Sequence, residues 1–124
     1  MGKKEIEKIK SLLKPIAKNS LAVYLYGSFA SGTAHEKSDF DICIIAEEGK
    51  KELFRESNVF MSKHPEADVK LFEELPLFIK KEIIENGILL YCKNKERLED
   101  YLGFYKRLWN GQAAVRLKYA KAIA

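Results

Sequence analysis

Residues 21–45 read LAVYLYGSFASGTAHEKSDFDICII, and the two apolar runs at the ends of this stretch decide the fold. Leu21 to Tyr26 is a short β-favouring run that stops at Gly27, which predicts a strand. Phe40 to Ala46, FDICIIA, is a second such run, apolar enough to be covered on both faces. Between them, Gly27-Ser28 predicts a tight turn, because glycine lets the backbone bend sharply and lets a ligand approach it. Ser28 to Ser31 reads as the start of a short helix, whose free N–H groups would form a site for anions, phosphate above all. Gly32 to Lys37 reads as a loop. A strand followed by Gly-Ser is common, and alone it predicts only a turn.

Outward from this stretch, strands and helices alternate. Residues 4 to 18 read as a helix, with Ile6, Ile9, Leu13 and Ile16 on one face and lysines opposite. Pro15 is expected to kink it or end it early. Lys50 to Ser62 reads as a helix with Leu53, Phe54 and Phe60 as core candidates, stopped by His64-Pro65. Ala67 to Phe72 reads as a third strand. Leu77 to Asn86 is a helix preceded by Pro76 and ended by Asn86-Gly87. Ile88 to Cys92 is a fourth strand. Lys95 to about Ala122 reads as one long helix, or two broken near Asn110-Gly111, with Leu98, Leu102, Tyr105 and Trp109 as its apolar stripe. The order α-β-α-β-α-β-α-β-α is that of an α/β domain whose sheet is covered by helices. With 124 residues and no linker, the chain reads as a single domain spanning 1–124, its core at about 5–95 and its C-terminal helix at about 95–122.

The chemistry lies in carboxylates. Asp39 and Asp41 stand two apart at the beginning of the second strand, where residues i and i+2 share a side. Like charges so placed repel, and one is pushed toward protonation unless a cation lies between them. Hard oxygen ligands of this kind suit magnesium or manganese, which typically take one or two carboxylates plus substrate phosphates. Asp68 is a further acid flanked by apolar residues, in the next strand. If that strand neighbours the second, three carboxylates converge where two metal ions about 3.5–4 Å apart could clamp an in-line phosphoryl displacement.

Charge is unevenly placed along a chain of net charge +4. Residues 1–18 carry six Lys and two Glu, and residues 93–124 carry eight Lys or Arg and three acids. Residues 19–92 carry thirteen acids and eight basic residues. An acidic centre suits a cation site. Basic ends suit solvated helix faces, nucleic acid, nucleotide phosphates or an acidic partner. Cys43 and Cys92 both sit in apolar runs and read as reduced, buried thiols, with no CxxC and no disulfide framework. His35 and His64 have no metal spacing to any Cys or acid motif and read as solvent-facing loop residues. Met1 to Glu5 runs straight into the amphipathic pattern without an apolar signal core, and no apolar stretch approaches ~20 residues. The expectation is a soluble, cytoplasmic protein without a membrane span.

Gly27-Ser28, ten intervening residues, Asp39-Phe40-Asp41-Ile42, and Asp68 on a later strand together resemble the DNA polymerase beta-like nucleotidyltransferase superfamily. The nearest likeness is to the minimal nucleotidyltransferases of bacteria and archaea. It covers roughly residues 5 to 95, including Leu75-Pro76 and the ending Glu85-Asn86-Gly87-Ile88-Leu89-Leu90-Tyr91. The resemblance implies the nucleotidyltransferase fold, a small mixed sheet of about four strands flanked by helices, with the C-terminal helix as an extension. It implies that Ser28 and the amides near Gly27 hold the β- and γ-phosphates of ATP or another nucleoside triphosphate. Asp39, Asp41 and Asp68 would bind two magnesium ions, with manganese as the substitute. Asp68 would also act as general base toward an attacking hydroxyl. One departure stands out: many relatives carry an arginine where this chain has Ser31, and a serine supplies no charge to a phosphate. Lys37, in the same loop, reads as solvated.

The resemblance implies transfer of AMP from ATP to a hydroxyl of a protein, with the chain acting as antitoxin of a HEPN-domain ribonuclease toxin. Two alternatives stand beside it. One is transfer to a small molecule, as in aminoglycoside nucleotidyltransferases, which usually carry an extra helical domain. The other is a binding subunit without catalysis, which Ser31 favours. Nucleic acid is not the expected partner, because the aromatic stripe of the last helix reads as core or interface. That apolar helix also predicts self-association or partner association.

Overall fold

A computed structural model of the chain describes residues 2–27, 30 and 39–123, with side chains as far as residue 111. The elements are α1 (Lys3–Ala17), β1 (Ala22–Tyr26), β2 (Phe40–Ile45), α2 (Lys50–Lys63), β3 (Ala67–Leu71), a 3-10 turn (Phe72–Glu74), α3 (Leu77–Asn86), β4 (Ile88–Cys92) and α4 (Lys95–Ile123). The expected turn of helix after Gly27 and the loop to Lys37 lie almost wholly outside the described residues.

The four strands form one sheet in the order β3-β2-β1-β4. β1 pairs antiparallel with both β2 and β4, whereas β2 and β3 run parallel. A parallel pair needs a crossover, and α2 supplies it. The sheet is therefore mixed, as expected, and β1 and β2 take its centre because their residues are apolar on both sides. Ile42 and Ile44 point to one face and pack with Leu13 and Ile16 of α1 and Leu53 and Phe60 of α2. Cys43 and Ile45 point to the other and pack with Phe72, Ile83 of α3, and Leu98 and Leu102 of α4. Truncating a residue such as Ile42, fully buried between these layers, should cost about 2–5 kcal/mol.

Several expectations meet a correction or a choice here. Pro15 lies inside α1 without ending it, and the helix runs to Ala17. The proline falls in the last turn, where the only carbonyl it deprives belongs to the exposed Ser11, which water can satisfy. The chain then closes with tighter bonds, Asn19 N to Ile16 O and Ser20 N to Ala17 O. Phe54 is not core: it is 50 % exposed. The buried stripe of α2 is Leu53, Ser57 and Phe60, and Phe54 lies about 100° around the helix from it. α4 is one unbroken helix through Asn110-Gly111. Among the described residues, no helix is long and apolar enough to cross a membrane.

Candidate active site

β1 ends at Tyr26 and the chain turns at Gly27, whose φ of +74° lies in the left-handed region that favours glycine. A Cβ at this position would overlap the Asp41 carboxylate. The turn is thus fitted to glycine twice, by its backbone angle and by the space Asp41 takes. Ser28 lies outside the described residues, so the expected phosphate cradle has only its glycine half on view.

Asp41 is the second residue of β2 and stands opposite Tyr26 of β1 on one side and Asp68 of β3 on the other. Neighbouring strands lie about 4.8 Å apart, and in-register residues share a face. Alternation places Asp41 and Asp68 on the face that holds Cys43 and Ile45, away from α1 and α2. β3 buries Ala67, Val69 and Leu71 and leaves Asp68 half-buried and Lys70 exposed on the other side. The sheet thereby joins two acids that are far apart in sequence. Asp39 sits one residue before the strand begins and is exposed.

Electrostatics reports the same closeness. Burial, then the charge of Asp68, and less so that of Asp39, hold the Asp41 carboxyl above the usual carboxylate range, while Lys70 pulls it down. Burial, with Asp41 the largest charge acting on it, pushes the Tyr26 phenol far up. Lys70 Nζ lies 3.6 Å from Asp68 Oδ2. Tyr26 and Lys70 are site neighbours that the sequence reading passed over. Lys70 could have been found by counting in twos, being i+2 from Asp68, whereas Tyr26, directly before the glycine turn, reaches the site only through its pairing with Asp41.

Among the described residues, no group of three His, Cys, Asp or Glu side chains forms a ready-made metal cluster. The donors fit a hard cation in a different way. Magnesium keeps several waters and typically takes one or two carboxylates plus substrate phosphates, which matches the Asp41–Asp68 pair with Asp39 beside it. A carboxyl that neighbouring acids push toward protonation is one that a cation would relieve. His35 lies outside the described residues. His64, expected to face solvent, is half-buried, stacked on Phe60 at 4.6 Å between ring centres and 3.6 Å from Glu66. Cys43 is fully buried as expected, but Cys92, near the end of the edge strand β4, is only partly so.

With this geometry in view, the likenesses to known proteins gain meaning. A protein of Methanocaldococcus jannaschii, named as a candidate protein adenylyltransferase, is 33% identical over 87 residues, covering 70% of this chain and 67% of that protein. Among solved structures, a chain of a toxin–antitoxin complex with AMP-PNP superposes with a TM-score of 0.67 at 20% identity, covering 95% of this chain and 97% of that one. A chain of the MntA–HepT toxin–antitoxin complex gives 0.64 at 15% identity, covering 98% of each. A chain from the Shewanella oneidensis complex of tri-AMPylated HEPN toxin with MNT antitoxin gives 0.57 at 16% identity, covering 93% and 95%. At these identities the structural matches speak for the fold. The sequence model of the polymerase beta nucleotidyltransferase family matches residues 7–96, a span that contains the glycine turn and all three acids, and the chain belongs to that family.

Proposed function

We propose that the chain transfers AMP from ATP to a hydroxyl of a protein acceptor, as the antitoxin that modifies and silences a HEPN-domain toxin. The observation that carries the chemistry is the in-register pairing of Asp41 with Asp68, with Asp39 close enough to act on Asp41. The protein acceptor and the toxin are supported by the likeness to the adenylyltransferase-named protein and to chains of toxin–antitoxin complexes.

In this reading Asp39, Asp41 and Asp68 hold magnesium. The metal supplies Lewis-acid stabilisation of charge on the phosphates when bound. The remaining work belongs to the chain. Gly27 and the adjoining turn admit the β- and γ-phosphates close to the backbone. Asp68 accepts the proton of the acceptor hydroxyl as that oxygen bonds to the α-phosphorus. The bond from the α-phosphorus to the oxygen bridging the β-phosphate breaks, and pyrophosphate leaves. Lys70, beside Asp68, offers a cation to the departing phosphates. With Ser31 in place of the arginine of many relatives, the grip on the triphosphate relies the more on metal and backbone.

The test is incubation of the purified chain with magnesium, ATP labelled at the α-phosphate and the HEPN protein encoded beside it. Label on the HEPN protein, lost with Asp41→Asn and with chelator, is the expected result. Neutralisation of the toxin in cells by Asp41→Asn and Asp68→Asn variants that transfer no label would sink the catalytic reading.

A further inference from the structure

A groove of about 610 Å³ runs between α1 and α2, on the face of the sheet turned away from Asp41 and Asp68. Its floor is apolar, made by Ile16, Val59 and Phe60. Val59 is 55 % exposed although it lies in this apolar strip. The rim is basic. Lys18, at the end of α1, and Arg55 and Lys63 of α2 line it, and all three are exposed. Among the described residues none of the three is engaged in an ion pair. The one carboxylate in the lining, Glu56, is taken by the Asn19 amide, whose Nδ2 donates to its two oxygens at 3.0 and 3.1 Å. The cations therefore face outward without internal partners, and the surplus of lysines over residues 1–18 extends the same field.

We propose that this groove docks an acidic, amphipathic segment of a partner protein, with a row of large apolar side chains flanked by carboxylates. The apolar row would cover Val59 and the strip beside it, in the manner of a helix laid into a groove. The carboxylates would meet Lys18, Arg55 and Lys63 at the rim, where opposite charge steers the encounter and like charge rejects basic partners. An apolar floor under a basic rim fits such a segment better than a nucleic-acid backbone, whose phosphates want cations and gain nothing from aliphatic carbon. The groove lies behind the sheet, so its occupant leaves the carboxylate face open. The inference stands apart from the proposed transfer and survives if that reading fails.

Fluorescence anisotropy tests it, with a labelled synthetic helix of about five turns bearing leucines on one face and glutamates along both flanks. Saturable binding is expected, weakened roughly tenfold or more by Val59→Asp and, separately, by Arg55→Glu combined with Lys63→Glu. The three positions are exposed, so thermal melts followed by circular dichroism should match the parent chain. Undiminished binding by both variants, equal binding of a lysine-flanked peptide, or displacement of the peptide by single-stranded RNA would each overturn the proposal.

Discussion

Gly27 approaches Asp41 so closely that a methyl group on its α-carbon would overlap the Asp41 carboxylate. The same glycine has φ +74°, so two penalties coincide in a Gly27→Ala substitution. The left-handed angle alone should cost about 1–2 kcal/mol, read as a lower unfolding midpoint in urea. The overlap forces the Asp41 carboxylate out of its present position beside Asp68, and transfer should fall by about a hundredfold or more. A variant that loses stability yet transfers at the parent rate would show that Asp41 has no fixed place in the chemistry.

Asp41 separates a cost in folding from a use in binding. In the metal-free chain its charge is disfavoured by burial and by Asp68 and Asp39, so Asp41→Asn should leave the fold intact and raise the thermal midpoint by a few degrees. Magnesium with ATP should stabilise the parent by mass action and leave Asp41→Asn unmoved. Differential scanning fluorimetry with and without magnesium-ATP reads both effects. A variant that melts well below the parent would mean that the carboxylate is a structural bond instead.

How much of this was legible in the sequence depends on the distance over which each feature is set. The strands around Leu25 and Ile42 and the glycine turn are local: apolar runs and a punctuating residue suffice. That Asp68 belongs with Asp41 depends on β3 lying parallel beside β2, which no local pattern specifies; it required the resemblance, and then the register. Tyr26 was missed for the same reason, since it meets Asp41 only across the sheet; Lys70, two residues along β3 from Asp68, was within reach of the sequence and was passed over. Phe54 was misplaced because adjacent apolar residues on a helix point about 100° apart, and composition alone does not say which of Leu53 and Phe54 faces inward.

Glu73 ties the far end of β2 to α4 and gives the chain an alkaline limit. Its Oε1 accepts the Ala46 amide at 3.1 Å and its Oε2 accepts the Tyr101 hydroxyl at 2.6 Å. Burial first, then hydrogen bonds with Glu73 and Tyr105, pushes the Tyr101 phenol far above its ordinary value. A phenol with a raised folded-state pKa contributes stability that is fully present below the unfolded value of about 10 and is lost as pH climbs beyond it. The parent should therefore weaken steeply above about pH 10. Tyr101→Phe should be about 1–2 kcal/mol less stable at neutral pH and should decline more shallowly at alkaline pH, so that the two curves converge. The decline persists in part because Tyr24 and Tyr26 are also raised. Urea titrations on both sides of that pH check the slopes, and parallel curves would remove Tyr101 from the account.

The two thiols offer a probe of the sheet itself. Cys43 is fully buried in β2, two residues from Asp41, and burial, with the charge of Glu73 adding to it and Lys80 opposing, pushes its thiol far up. Cys92, near the exposed end of β4, is only partly covered. Since the thiolate is the reactive form, Ellman's reagent should modify Cys92 promptly in the native chain and Cys43 only when the sheet opens. A Cys92→Ser variant isolates that slow reaction. Its rate then measures the population of the open state, and any ligand that binds only the folded carboxylate face must lower it by the factor 1 + [L]/Kd. Magnesium-ATP should slow Cys43 labelling in Cys92→Ser and leave it unchanged when Asp41→Asn is added. Equal, rapid reaction of both thiols in the parent chain would contradict the burial of β2 between two helical layers.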